Sequence, residues 1–172
     1  MDSFEEIRKL RNAITHTVSK REITAKQIIT NILLASETFT GPQKWLTHRR
    51  KYLERDHTTV IASGDYNDHM IACDMLTAIE VLGKGDLKRH FGFDKTRRRY
   101  QCFSCYFSSN MGELDNEFAV LEPNTSDSTN LYCFVCNSNQ LVIRHRCENE
   151  KCKGNVIHAD DRTCFSCGLQ QG

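Results

Sequence analysis

Eight of the nine cysteines in this chain fall after residue 100, and they come as four pairs. Cys102/Cys105, Cys133/Cys136 and Cys164/Cys167 read C-F-x-C, while Cys147 and Cys152 have four residues between them. Two residues between thiols let both sulfurs face one ion at about 2.3 Å, and two such pairs complete a tetrahedron. Eight paired thiols are therefore the ligand count of two structural Zn2+ ions. Small cores of this kind need the metal in order to fold, so binding free energy is folding free energy.

Three combinations satisfy the count. The simplest is sequential: Cys102, Cys105, Cys133 and Cys136 on one ion, and Cys147, Cys152, Cys164 and Cys167 on the other. Each set then forms a zinc-ribbon-like hairpin, the first with 27 residues between its pairs and the second with 11. A nested arrangement would join the two inner pairs and close the outer pairs around them. A cross-brace would join first with third and second with fourth. The ten residues Asn137–Arg146 include the strand-like Leu141-Val142-Ile143, which disfavours the short spacer of a RING-type cross-brace. Disulfides are not expected, since the charged, amphipathic N-terminus MDSFEEIRKL is unlike a secretory signal. His145 and His158 read as surface residues, and Cys73 as an inert buried thiol.

Ahead of the metal-binding half, residues 1–92 read as an independent helical domain. Ser3/Glu6 and Thr24/Gln27 are capping boxes that precede helical apolar spacing. Gly41-Pro42 ends one helix and starts another carrying Trp45, Leu46 and Leu53. A further helix runs from Asp65 or Asn67 through Ile71, Met75 and Ile79 to a stop at Gly83 and Gly85, and a short one covers 86–91. Residues 57–64 read equally as strand or helical turn. After Tyr100 the pattern changes to short β-rich pieces, QCFSCYF, EFAVLE, LYCFVC, QLVIRHR and NVIHA, separated by polar turns including the exposed PNTSDSTN loop. The expected fold class is α+β: a helical domain of about four to five helices (1–92), a basic linker (93–100), and a β-rich region (101–172) with two four-cysteine zinc modules (101–137 and 145–169).

Charge divides along the same line. Residues 1–100 hold 18 Lys and Arg against 13 Asp and Glu, whereas 101–172 hold 5 against 9. Each zinc–tetrathiolate centre adds about −2 to the second half. The positive excess concentrates in residues 84–99 and runs into the aromatic-rich first knuckle. Cations release counterions from phosphates and aromatics stack on bases. Lys88, Arg89, Lys95, Arg97, Arg98, Arg99 and Tyr106 are accordingly the candidate nucleic-acid contacts, with Arg49, Arg50 and Lys51 extending the track. The competing role of these charges is to pair with the acidic zinc half, and the competing role of the knuckle aromatics is to fill its small cores.

The first module, with its C-x2-C, long hairpin and C-x2-C, resembles the C-terminal ribbon of TFIIS-type transcription elongation factors, although no glycine follows Cys105. The second, C-x4-C-x11-C-x2-C-G, is similar in span to Ran-binding-protein-type zinc fingers, without their tryptophan before the first cysteine. The second resemblance implies RNA or ubiquitin as partner classes. No Gly-rich phosphate loop, G-x-S-x-G or H-E-x-x-H is present, and four-sulfur zinc sites leave no open coordination position. The expectation is a non-enzymatic zinc protein of the nucleus or cytoplasm that binds RNA or single strands and acts in transcription or RNA metabolism. The alternative is a protein-interaction adaptor, including a ubiquitin-ligase-type or host-factor-binding module. No apolar run approaches membrane-span length, and the helical domain offers a face for self-association.

Overall fold

A computed structural model describes residues 5, 7–9, 11–12, 24–55, 64–107 and 117–172. The chain is α+β: helices, then a region with a small antiparallel sheet and both cysteine groups. It divides into two compact units, Met1–Arg55 with Asp74–Lys95, and Asp56–Cys73 with Thr96–Gly172. The Ser3/Glu6 box and residues 57–63 lie outside the described residues.

The first unit contains α1 (Ala25–Thr40), α2 (Trp45–Arg55), the C-terminal part of α3 (Gly64–Val81) and α4 (Lys84–Phe91). The Thr24 hydroxyl accepts from the Gln27 amide at 3.3 Å, and the Gln27 side chain accepts from the Thr24 amide at 3.0 Å. This reciprocal box satisfies two N–H groups that helix geometry leaves without partners. Gly41 closes α1 at φ 84°, donating to the Glu37 carbonyl. Pro42 does not begin the next helix as its sequence position suggests. Gln43 sits at φ 57°, outside the helical region, and α2 starts only at Trp45.

Gly83 precedes α4 in extended backbone, and Gly92 ends it at φ 72°, donating to Lys88, while Phe93 donates back to Leu87. The Gly92 bond to Lys88 is that of an αL-type ending, and Phe93 just beyond it is fully buried. Within this unit Leu33, Leu46, Leu53, Met75, Ala78, Leu82, Leu87 and Phe91 are buried with it. α1, α2 and α4 contact one another pairwise.

The second unit holds α5 (Phe103–Phe107) and strands β1 (Ala119–Leu121), β2 (Asn130–Cys133), β3 (Asn139–Ile143) and β4 (Ile157–His158), paired in that order and all antiparallel. Four of the five β-rich pieces become strands. QCFSCYF becomes a bridge at Tyr100 followed by helix α5, which opens with Tyr106 donating to the Cys102 carbonyl. β3 alternates exposed and buried side chains, with Gln140 and Val142 inward. Its first three residues pair with β2 and its last two with β4. The two zinc modules therefore share one strand.

Candidate metal centres

The four knuckles are built in three ways, and local sequence explains each. Cys133-Phe134-Val135-Cys136 is the β2–β3 turn, closed by Cys133 N–H to Ser138 C=O at 3.0 Å, with Asn137 at φ 58°. Cys164-Phe165-Ser166-Cys167 repeats this form, with Cys164 N–H to Leu169 C=O at 2.9 Å and Gly168 at φ 72°. Each second cysteine is followed by a residue type that tolerates left-handed backbone. Tyr106 follows Cys105 and does not suit that conformation, so the first knuckle continues into α5. Between Cys147 and Cys152, the Asn149 side chain accepts from the Lys151 amide at 3.0 Å and its carbonyl accepts from Cys152 at 2.8 Å. This Asx turn accommodates the longer spacing.

These turns gather the sulfurs into two sets, Cys102/Cys105/Cys133/Cys136 and Cys147/Cys152/Cys164/Cys167, each within 4.8 Å. The grouping is sequential. Sγ···Sγ separations are 3.6 Å for Cys102–Cys136, 3.8 Å for Cys105–Cys133, 3.7 Å for Cys147–Cys167 and 4.0 Å for Cys152–Cys164. A disulfide needs about 2.05 Å. A tetrahedron with Zn–S of about 2.3 Å has an edge of about 3.8 Å. Soft thiolate donors at that spacing fit two structural zinc ions, each held by four side chains.

Further groups orient the sulfurs, and the cysteine spacing alone does not reveal them. Ser138 Oγ lies 2.9 Å from Cys136 Sγ. Backbone N–H groups of Gly154 and Ser166 donate to Cys152 and Cys164 at 3.3 and 3.4 Å. Gln171, buried near the C-terminal end, donates to Cys147 Sγ at 3.4 Å and accepts from the Glu148 amide. Such partners fix ligand orientation.

As thiols, the first four are in conflict. Hydrogen bonds from Cys102, Cys105 and Cys133 pull Cys136 far down, and those to Cys102 and its neighbours drive Cys105 far up. Burial pushes Cys147 up, but the Asn149 backbone, neighbouring sulfurs and Gln171 bring it to about 7. A central dication resolves this competition by favouring all four thiolates.

The knuckle phenylalanines join the two modules. Phe103 stacks on Phe165 with centroids 4.4 Å apart at 12°, Tyr100 meets Phe165 edge-on, and His158 leans on both stacked rings. Phe134 is buried against Tyr132. Tyr100, Phe134 and Phe165 are buried, while Phe103 and Tyr132 are half-buried. Tyr106 differs, being 49% exposed. His145 is exposed, and neither histidine belongs to a cysteine group. Cys73 is half-buried, 3.7 Å from His69 Nε2, and so is not the enclosed thiol its place in an apolar helix suggests.

Most of the basic candidates have partners. In the first unit, Arg49 meets Asp74 at 2.7 Å and lies over Tyr52, Lys88 meets Asp94 at 3.2 Å, and Arg89 is bidentate to Glu37. Lys95 bonds the Ile79 carbonyl near the end of α3. Arg50 is half-buried and Lys51 exposed. In the second unit, Arg97 holds Glu122 and the Leu121 carbonyl, and Arg99 lies 3.6 Å from Glu117. Arg98 instead lies over the Tyr100 ring and donates to the Ser166 hydroxyl at 2.9 Å.

The fold and sites define a helical protein with a fused pair of zinc-ribbon-like modules. Comparison with protein families, with curated proteins and with solved structures found no match. Among the described residues, no helix is long and apolar enough to cross a membrane.

Proposed function

We propose that this protein is a non-enzymatic regulator that uses its zinc unit to bind single-stranded nucleic acid, RNA in particular, in transcription or RNA metabolism. The observation that carries the reading is Arg98. It is exposed, pre-ordered by an aromatic ring, and donates to a hydroxyl where its neighbours meet carboxylates. A positioned guanidinium suits phosphate recognition because its forked donors match oxyanion geometry. Tyr106 supplies an exposed ring suited to base stacking.

The rest of the basic run divides by environment. Arg97 and Lys95, tied to backbone carbonyls, serve the fold. Lys88, Arg89 and Arg99 form surface pairs worth about 0–1 kcal/mol, which phosphates can displace.

Fluorescence anisotropy of a labelled single-stranded RNA across a salt series tests the reading. Affinity should fall steeply with salt, by a log–log slope of about −0.7 for each phosphate engaged. Tyr106→Ala should weaken binding about tenfold or more through lost stacking. Absent or salt-insensitive binding overturns the reading.

A second reading, a protein-interaction adaptor, is favoured by one feature. Ile28, Ile32 and Phe39 are exposed at helical spacing on α1. If that stripe mediates self-association, Ile32→Glu lowers the mass seen by light scattering. An unchanged monomeric mass removes the homo-oligomer form of this reading.

A further inference from the structure

A cleft of about 330 Å³ opens on the second zinc module, and its lining carries Arg98, Lys151 and Lys153 but no carboxylate. Lys151 and Lys153 flank Cys152, so the metal that fixes the Cys152 sulfur also fixes the backbone from which both lysines project. Arg98 enters from the segment before β1 and is oriented by Ser166, which also lines the cleft. Gly154 completes it. A Cβ there would lie 2.6 Å from Ser166 Oγ and 3.0 Å from Cys164 Sγ, so only a glycine lets the backbone pass this close to the knuckle.

We infer that this cleft is a phosphate seat, and that its occupant is an internal phosphodiester of a single-stranded RNA. The inference rests on the nucleic-acid reading above and names the residues that take the phosphate. Lys151 and Lys153 are not part of the basic run before the first knuckle, and nothing in that run points to them. Charge selects the occupant. A zinc–tetrathiolate centre carries about −2, and two of its ligands, Cys152 and the exposed Cys167, lie in the cleft wall. Three cations exceed what that centre neutralises by one unit, which matches the single negative charge of a phosphodiester.

The test uses the full chain loaded with zinc, its metal content verified by native mass spectrometry. Anisotropy with a 5′-hydroxyl single-stranded RNA is compared for the unaltered protein, Lys151→Gln/Lys153→Gln, and the charge-preserving Lys151→Arg/Lys153→Arg. We expect the glutamine pair to keep both zinc ions, to bind about tenfold more weakly, and to show a salt slope shallower by about 0.7 for the one phosphate lost. The arginine pair should bind like the unaltered protein. Equal RNA binding by the glutamine pair overturns the phosphate seat and leaves the nucleic-acid reading standing.

A backbone-amide NMR titration separates the remaining cases. Shifts at Lys151, Lys153, Gly154 and Ser166 with the dinucleotide UpU support the seat, and failure of longer RNA to bind beside them overturns single-stranded RNA as its occupant together with the broader reading. Equal shifts with inorganic phosphate at the same concentration overturn the phosphodiester assignment in favour of free phosphate. No shift with either overturns the seat and assigns the three cations to neutralising the zinc centre alone.

Discussion

Gly154 shows how much rests on single residues around the second zinc. Its amide donates to Cys152 Sγ and its carbonyl accepts from the Cys147 amide, so it links two ligands of one ion. It has no room for a side chain. We predict that Gly154→Ala forces Ser166 or Cys164 aside and weakens zinc at the second site about 10- to 100-fold, the range seen when groups supporting a ligand are disturbed. Competition with a chromophoric chelator should show one weak and one unaltered site per chain. Two unaltered sites would contradict the packing described. At this scale the eight ligands were legible because thiol spacing and tetrahedral geometry are local. Gln171 and Ser138 were not, because a glutamine or serine carries no spacing signal until the fold brings it beside a sulfur. The carbonyl partners of Arg97 and Lys95, 24 and 16 residues away, were hidden for the same reason: charge is visible in sequence, and such a partner is not.

At the scale of elements, α1 followed from its capping box, the other long helices from apolar spacing, and the strands from short alternating runs. The knuckle turns needed one more rule, the residue after the second cysteine. Asn137 and Gly168 hold left-handed backbone. Both Asn137→Val and Asn137→Gly lose the bond that Asn137 accepts from the Tyr132 hydroxyl, but the valine form should be less stable than the glycine form by about 1–2 kcal/mol, because a β-branched residue pays the full steric cost there. Urea unfolding of the zinc-loaded protein measures both, and equal stability of the valine and glycine forms would refute the account of this turn. The misread piece, QCFSCYF, is aromatic-rich and β-like by composition, yet the hydrogen bond from Tyr106 to the Cys102 carbonyl turns it into α5.

α4 supplies a pH test at the same scale. His90 is buried against Glu37 of α1, with Nδ1 3.1 Å from the carboxylate. Burial lowers its pKa, with Arg89 adding to the effect and Glu37 and Asp86 opposing it. The unfolded chain therefore binds the proton first. Stability of the helical unit is full above the unfolded value of about 6.5 and declines as pH falls below it. His90→Gln should flatten the dependence between about pH 7 and 5 in thermal unfolding. An unchanged slope would show that His90 is not its source.

At the scale of the molecule, two features are not visible in the cysteine pattern. The modules share β3, and the phenylalanines of two C-F-S-C knuckles stack on each other, so the second unit is a fused pair. Sequence spacing left the ligand pairing open among three arrangements because it cannot see the sheet that brings the second pair to the first. The geometry selects the sequential one, and that selection underlies both the orientation of Arg98 and the placement of Lys151 and Lys153.

Native mass spectrometry of Cys102→Ser/Cys136→Ser is the most direct test of this central claim. Sequential pairing puts both substitutions on one ion, so the intact chain should carry two zinc ions and the variant one. A variant that loses both ions, while Cys102→Ser/Cys105→Ser loses only one, would show that Cys102 and Cys136 serve different centres, and would contradict the account.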